Sequence, residues 1–251
     1  MDNMGLIGYN LLYNVFSFTF ALMMAATLFF WLNLARVSCR YRLAVSITGL
    51  VTFIAAYHYL QIFFSFEHAY NVMGDTITLS GKPFNDAYRY VDWLLTVPLL
   101  LIELILVMKL SHEETIYRSV KLGFAAALMV ILGYPGEISV DMSSRLLWWV
   151  LSMIPFLYII YELFFGLRAS ISKQPQKTQP LVRKACYLTV LAWCFYPVVY
   201  LLPNLGFGGG DGFVALQVGY SIADILAKAG FGLLIFFIAR SKSSEEGYAE
   251  L

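Results

Sequence analysis

Seven stretches of almost unbroken apolar residues recur along the chain: Asn10–Leu34, Leu43–Phe66, Tyr88–Met108, Val120–Tyr134, Leu146–Leu167, Leu181–Leu202 and Val214–Ala239. All but the short fourth approach or exceed the length of helix that crosses a hydrocarbon core of about 30 Å. In hydrocarbon every backbone N–H and C=O must find its partner within the protein, which leaves only helices and closed barrels as spanning structures. Barrel strands alternate apolar and polar residues over about ten positions, whereas these stretches are continuous, so they predict helices. The expected fold is an all-α membrane protein, a seven-transmembrane-helix bundle formed as a single domain over residues 1–251, with 240–251 as a flexible cytoplasmic tail. Of the 251 residues 60% are hydrophobic and 13% charged, against about 25% charged in ordinary soluble domains.

The cationic residues fix an expected orientation. With the N-terminus outside, the inner connections and tail hold Arg36, Arg40, Arg42, Lys109, Arg118, Lys121, Arg168, Lys173, Lys177, Arg183, Lys184, Arg240 and Lys242, and the outer side holds only Lys82, Arg89 and Arg145. Thirteen against three selects an odd number of spans with the N-terminus out. The net charge of +1 gives no support for nucleic-acid binding. The opening residues lack the cationic region of a cleavable signal, so the first span is expected to serve as its own insertion signal. Cys39, Cys186 and Cys194, like His58, His68 and His112, are too scattered to suggest a disulfide framework or a metal site. Between the second and third spans, alternating Thr76-Ile77-Thr78-Leu79 lies between Gly74-Asp75 and Gly81-Lys82-Pro83, which predicts a short extracellular β-hairpin. The Arg168–Lys184 connection, polar and carrying Pro175 and Pro180, is expected to be mobile.

Against this apolar background two sets of charges stand out. Lys228 lies near the middle of the last span, with Asp224 four residues before it on the same helix face. An ammonium at the bilayer centre costs at least about 2.5–3.5 kcal/mol, so intramembrane charge is functional by default. A lysine in such surroundings is the type that condenses with carbonyl compounds, and a cationic imine there would need a carboxylate. A structural ion pair without a ligand is the competing reading. In the third span, Arg89, Asp92, Thr96 and Glu103 follow separations of three, four and seven, which line up along one face. Asp92 and Glu103 are eleven residues, about 16 Å, apart along the axis. In the expected orientation Asp92 lies on the outer side and Glu103 towards the cytoplasm, an order that suits a vectorial proton carrier. Spacing alone equally allows Glu103 to be an interfacial carboxylate.

The run Arg89-Tyr90-Val91-Asp92-Trp93-Leu94-Leu95-Thr96-Val97-Pro98-Leu99-Leu100 followed by Glu103, together with Asp224-Ile225-Leu226-Ala227-Lys228, resembles the microbial (type I) rhodopsins. More narrowly it resembles the proteorhodopsin and xanthorhodopsin group of proton pumps, over nearly the whole chain. That resemblance implies all-trans retinal bound covalently to Lys228 as a protonated Schiff base and isomerised by light to 13-cis. It implies Asp92 as proton acceptor and counterion, Asp224 as second counterion, Glu103 as proton donor, Arg89 as the residue tuning the counterions and Thr96 as the residue ordering the helix beside Asp92. His58, which by itself reads as a packing residue, becomes the hydrogen-bond partner of Asp92. Trp93, Leu100, Trp149, Trp193, Tyr196, Pro197 and Ala227 match retinal-pocket positions, and leucine at position 100 goes with green absorption.

Two departures are informative. Relatives with a carotenoid antenna have glycine where Trp149 stands, so such an antenna is not expected here. Relatives of the bacteriorhodopsin type carry paired glutamates for rapid proton release, where Pro203–Gln217 offers only Asp211. The resemblance implies no enzyme but a light-driven outward proton pump, multi-pass in a prokaryotic-type cell (inner) membrane, compatible with homo-oligomers. The competing class is a sensory rhodopsin, a photoreceptor signalling through a membrane transducer; Glu103 argues against it. A sodium pump would have asparagine and glutamine in place of Asp92 and Glu103.

Overall fold

The protein is described here from a computed structural model, over residues 4–85, 87–139, 141–202, 206 and 209–248. Seven helices long and apolar enough to cross a membrane account for most of it: α1 (Leu6–Leu32), α2 (Cys39–Ala69), α3 (Ala87–Met108), α4 (His112–Glu137), α5 (Met142–Ser172), α6 (Gln179–Tyr200) and α7 (Gly209–Glu245). Large apolar side chains such as Phe18, Phe124, Ile154 and Leu191 face outward. The polar and charged residues of the spans are turned inward, because lipid solvates the former and not the latter. Over their most apolar 18 residues, α3 and α7 bury the largest share, 61% each, against 28% for α1. The helices that carry the intramembrane charges are therefore the central ones.

Between α2 and α3, β1 (Tyr70–Met73) and β2 (Thr76–Leu79) pair antiparallel with Tyr70 opposite Leu79 and Met73 opposite Thr76. The two-residue connection has Gly74 at φ 59°, while Asp75 stays at negative φ. That pattern calls for glycine at the first central position, as in hairpin turns of the II′ kind.

Several boundaries differ from those that hydropathy predicts. Helix α4 begins at His112, eight residues before its apolar stretch, because Ser111 caps it by accepting from the Glu114 N–H at 3.2 Å. Helix α7 runs to Glu245, so Arg240–Glu245, expected as part of a flexible tail, is helical. Tertiary contacts hold it there: the Ser38 N–H donates to Ser243 Oγ at 2.8 Å, and Lys242 reaches the end of α3. Tyr248 bonds the Ala35 carbonyl at 2.9 Å, and residues 249–251 lie outside the described part. The α5–α6 connection, expected to be mobile, is likewise pinned: Gln179 Nε2 donates to the Gln174 and Ser172 carbonyls, and Gln174 Nε2 to that of Ser170.

Two helices contain single π-helical turns, Glu162–Gly166 in α5 and Ile225–Gly230 in α7. Such turns often mark functional sites, and the second contains Lys228.

Candidate functional site

At the centre of the bundle Lys228 Nζ bridges two carboxylates, Asp92 Oδ2 at 2.6 Å from α3 and Asp224 Oδ1 at 2.8 Å from its own helix. All three residues are at most 1% exposed. Arg89 closes the cluster, with Nη1 3.5 Å from Asp224 Oδ2. Two cations and two carboxylates thus sum to zero charge, the condition under which a group of buried ions escapes the several kcal/mol that each unpaired one would cost.

The two carboxylates are held differently. Asp224 accepts from Tyr59 at 2.7 Å, Tyr196 at 2.7 Å and Trp93 Nε1 at 3.1 Å, as well as from Lys228. Arg89 in turn donates to the Tyr59 hydroxyl at 2.9 Å and to Gln217 Oε1 at 2.7 Å, between the rings of Tyr59 and Tyr220. Asp92 has a single hydrogen-bond partner, Lys228, and its Oδ1 is buried with none. Thr96 Oγ1 donates to the Asp92 carbonyl at 2.8 Å, which ties the hydroxyl to the backbone and orders that turn of α3. The Asp224 oxygens are thus taken up by donors, and Asp92 carries the spare lone pairs.

His58 lies near enough to Asp92 to interact with it electrostatically, but no hydrogen bond joins the two. Its Nδ1 lies 2.9 Å from the Ile54 carbonyl. A carbonyl only accepts, so Nδ1 carries the proton, and the Nε2 of a neutral ring is then a lone pair that cannot donate to an ionised carboxylate. The structure shows no direct bond from His58 to Asp92, and the two interact through space.

Glu103 stands eleven residues beyond Asp92 on α3, fully buried, with no hydrogen-bond partner on either carboxyl oxygen. The Thr48 side chain of α2 faces it, and no cation pairs with it among the described residues. Full burial excludes the interfacial alternative that spacing left open.

From Lys228 an apolar cavity extends between α3, α4, α5, α6 and α7. Trp93, Leu100, Trp149, Trp193, Tyr196, Pro197 and Ala227 all line it. So do Tyr90, Val97, Met129, Val130, Gly133, Ser152, Met153, Phe156, Tyr200 and Tyr220, which sequence reasoning did not single out. Tyr90, Val97 and Tyr200 stand three or four positions from lining residues on their own helices and could have been found by that rule. The α4 residues gave no signal, since which face of α4 points inward is set by tertiary packing. Trp149 Nε1 donates to the Pro197 carbonyl at 2.9 Å, fastening α5 to α6 at the side of the cavity. Apart from Asp224 and Lys228 the lining carries no charge. The residues therefore suit an elongated apolar molecule with one carbonyl end beside the Lys228 amine. Among the described residues no group of three His, Cys, Asp or Glu could hold a metal ion.

Residues 10–242 match the model of the family described as bacteriorhodopsin-like protein. The chain is 30% identical over 227 residues to the green-light absorbing proteorhodopsin of Gamma-proteobacterium EBAC31A08, covering 89% of this chain and 84% of that one. It is 33% identical over 195 residues to the bacteriorhodopsin of Halobacterium salinarum, covering 76% and 69%. Among solved structures, that of xanthorhodopsin, a light-driven ion pump with dual chromophore, superposes with a TM-score of 0.95 at 47% identity, covering 99% of this chain and 100% of that one.

Proposed function

The chain belongs to the bacteriorhodopsin-like family, and from that premise we propose that it is a light-driven pump that carries protons outward across a cell (inner) membrane. The observation that carries the reading is the Lys228 ammonium held between Asp92 and Asp224 at the end of an apolar cavity, with a second, unpartnered carboxyl on the same helix. All-trans retinal, joined to Lys228 as a protonated Schiff base, supplies absorption of visible light and isomerisation to 13-cis.

The residues divide the remaining work by how they are held. Asp92, with an empty lone-pair site on Oδ1 and no donor but Lys228, accepts the proton that leaves the Lys228 nitrogen. Asp224, fixed by two tyrosines, a tryptophan and Arg89, stays ionised and keeps the site near neutrality. Glu103, buried with no cation beside it among the described residues, holds a proton and returns it to the Lys228 nitrogen from the opposite side. Direction follows from order along α3: acceptor nearer the N-terminal end, donor about 16 Å beyond it. With the N-terminus outside, the orientation that the distribution of cationic residues supports, that order moves protons outward. Trp149, fastened to Pro197, fills the side of the cavity where a carotenoid antenna would approach and argues against one.

Illumination of intact cells that express the protein with retinal, while external pH is followed, tests the reading. Acidification in the light that a protonophore abolishes is expected. Alkalinisation reverses the direction, and the absence of any light-driven change with a photocycle lasting seconds supports the sensory alternative.

A further inference from the structure

One buried cation in the bundle has no part in this scheme. Lys242, on the last turns of α7, is 5% exposed. Its Nζ donates to the Val107 carbonyl at 3.1 Å, the Met108 carbonyl at 2.8 Å and Gln174 Oε1 at 2.8 Å. The ammonium also sits 5.1 Å from the centre of the Tyr41 ring, whose hydroxyl donates to Glu246. Lys109 and Glu245 are the other charges near it. Four segments therefore meet on one atom: the C-terminal end of α3, the start of α2, the α5–α6 connection and α7.

The position of this knot gives it meaning. Val107 is one helical turn past Glu103, about 6 Å along the axis of α3. The last carbonyls of a helix have no partner within it and are normally hydrated. Lys242 takes up two of those carbonyls, Val107 and Met108, at the end of α3 that lies beyond Glu103. Val107 and Met108 are 0% exposed, Tyr41 1% and Gln174 8%, so Lys242 and its partners form one buried cluster. Behind it Glu103 is fully buried, with the Thr48 side chain facing it.

We propose that Lys242 is a positioning residue that closes the aqueous route to Glu103, and that proton exchange between Glu103 and the medium requires its hydrogen bonds to open. The proposal builds on the donor reading of Glu103, but access to a buried carboxyl can be measured in the dark, where no donation occurs.

The test is hydrogen–deuterium exchange of the Glu103 carboxyl in the retinal-loaded protein. Its infrared C=O stretch is followed after transfer into deuterated buffer and identified by its loss in Glu103→Gln. Lys242→Met should speed exchange on the order of tenfold to a hundredfold, the effect on an opening equilibrium of losing charge-assisted hydrogen bonds. Lys242→Arg should stay near the parent rate. Gln174→Leu, which removes one acceptor and leaves the lysine, should fall between, and it carries the test alone if Lys242→Met does not fold. Arg118→Gln breaks contacts with Glu114 and Glu162 elsewhere in the bundle and should leave exchange unchanged. Parent-like exchange in Lys242→Met, or equal acceleration in Arg118→Gln, overturns the proposal, as does a parent without a protonated Glu103 band. Gated exchange together with an unaltered photocycle in Glu103→Gln would retain the gate and remove the donor.

Discussion

Asp92→Asn separates the acceptor from everything else in the site. The substitution is nearly isosteric, and Asp92 has one hydrogen-bond partner, so the packing of α3 should survive it. What changes is charge: the four-membered cluster of Arg89, Asp92, Asp224 and Lys228 goes from neutral to an excess of one positive charge. At the 2.6 Å separation of Asp92 and Lys228, a unit charge pair in a medium of effective dielectric about 20 interacts by about 6 kcal/mol. That attraction stabilises a chromophore cation whose charge is concentrated at the Lys228 nitrogen. Excitation moves part of the charge away, so without Asp92 the optical gap should narrow by up to about half of the interaction, on the order of 1–3 kcal/mol. The variant should absorb to the red of the parent at neutral pH, and the parent should make the same shift in acid as Asp92 is protonated. Having no carboxylate with a free lone pair, the variant should not pump. Visible spectra and light-driven acidification of cell suspensions check both halves. A red-shifted variant that acidifies the medium like the parent would place the acceptor elsewhere, and a variant with unchanged colour would refute the electrostatic argument itself.

Other residues give independent tests. Lys228→Ala should yield a colourless protein even with added retinal, since no other lysine lines the cavity; surviving visible absorption at the parent wavelength would remove the basis of the site. Glu103→Gln should leave the colour nearly unchanged, because it exchanges a protonated carboxyl for a neutral amide about 16 Å along the helix from Asp92. It should nevertheless lengthen severalfold the time for which the Lys228 nitrogen lacks its proton, and added azide should shorten it again; flash photolysis with identical decay in parent and variant would dismiss the donor. His58→Asn should displace the midpoint of the acid colour transition through the electrostatic coupling to Asp92, and an unmoved midpoint would leave His58 as packing. A keto-carotenoid added to the parent should give no sensitised excitation, whereas Trp149→Gly, which deletes the indole and its bond to Pro197, should allow some.

The spans and the intramembrane charges were legible because both are decided by transfer energies that single residues carry. Twenty apolar residues have one comfortable environment, and Asp92, Glu103, Asp224 and Lys228 have almost none in hydrocarbon, so their placement inside the bundle follows. What escaped depends on contacts between segments. Hydropathy ends α7 at Ala239, yet the helix continues because Lys242 and Ser243 find partners on other elements. The π-helical turn around Lys228 has no local sequence signature. The hydrogen bond of His58 depends on which ring nitrogen meets a carbonyl one turn away, and the Met129, Val130 and Gly133 side of the cavity depends on the rotation of α4.

The two carboxylates beside Lys228 show how far spacing can mislead about role. In the sequence Asp224 is the nearer neighbour, one turn from the lysine, and Asp92 belongs to another helix. In the structure both reach the ammonium within 0.2 Å of each other, 2.6 and 2.8 Å, so distance does not distinguish them. Their remaining partners do. Tyr59, Tyr196 and Trp93 donate to Asp224 and Arg89 lies beside it, so a proton arriving there would have to displace a donor. Asp92 receives no such support, and its Oδ1 stands open. A pair of nearly equal distances with unequal hydrogen bonding is the basis of the proposed division of roles, in which Asp92 would take the proton and Asp224 would keep its charge.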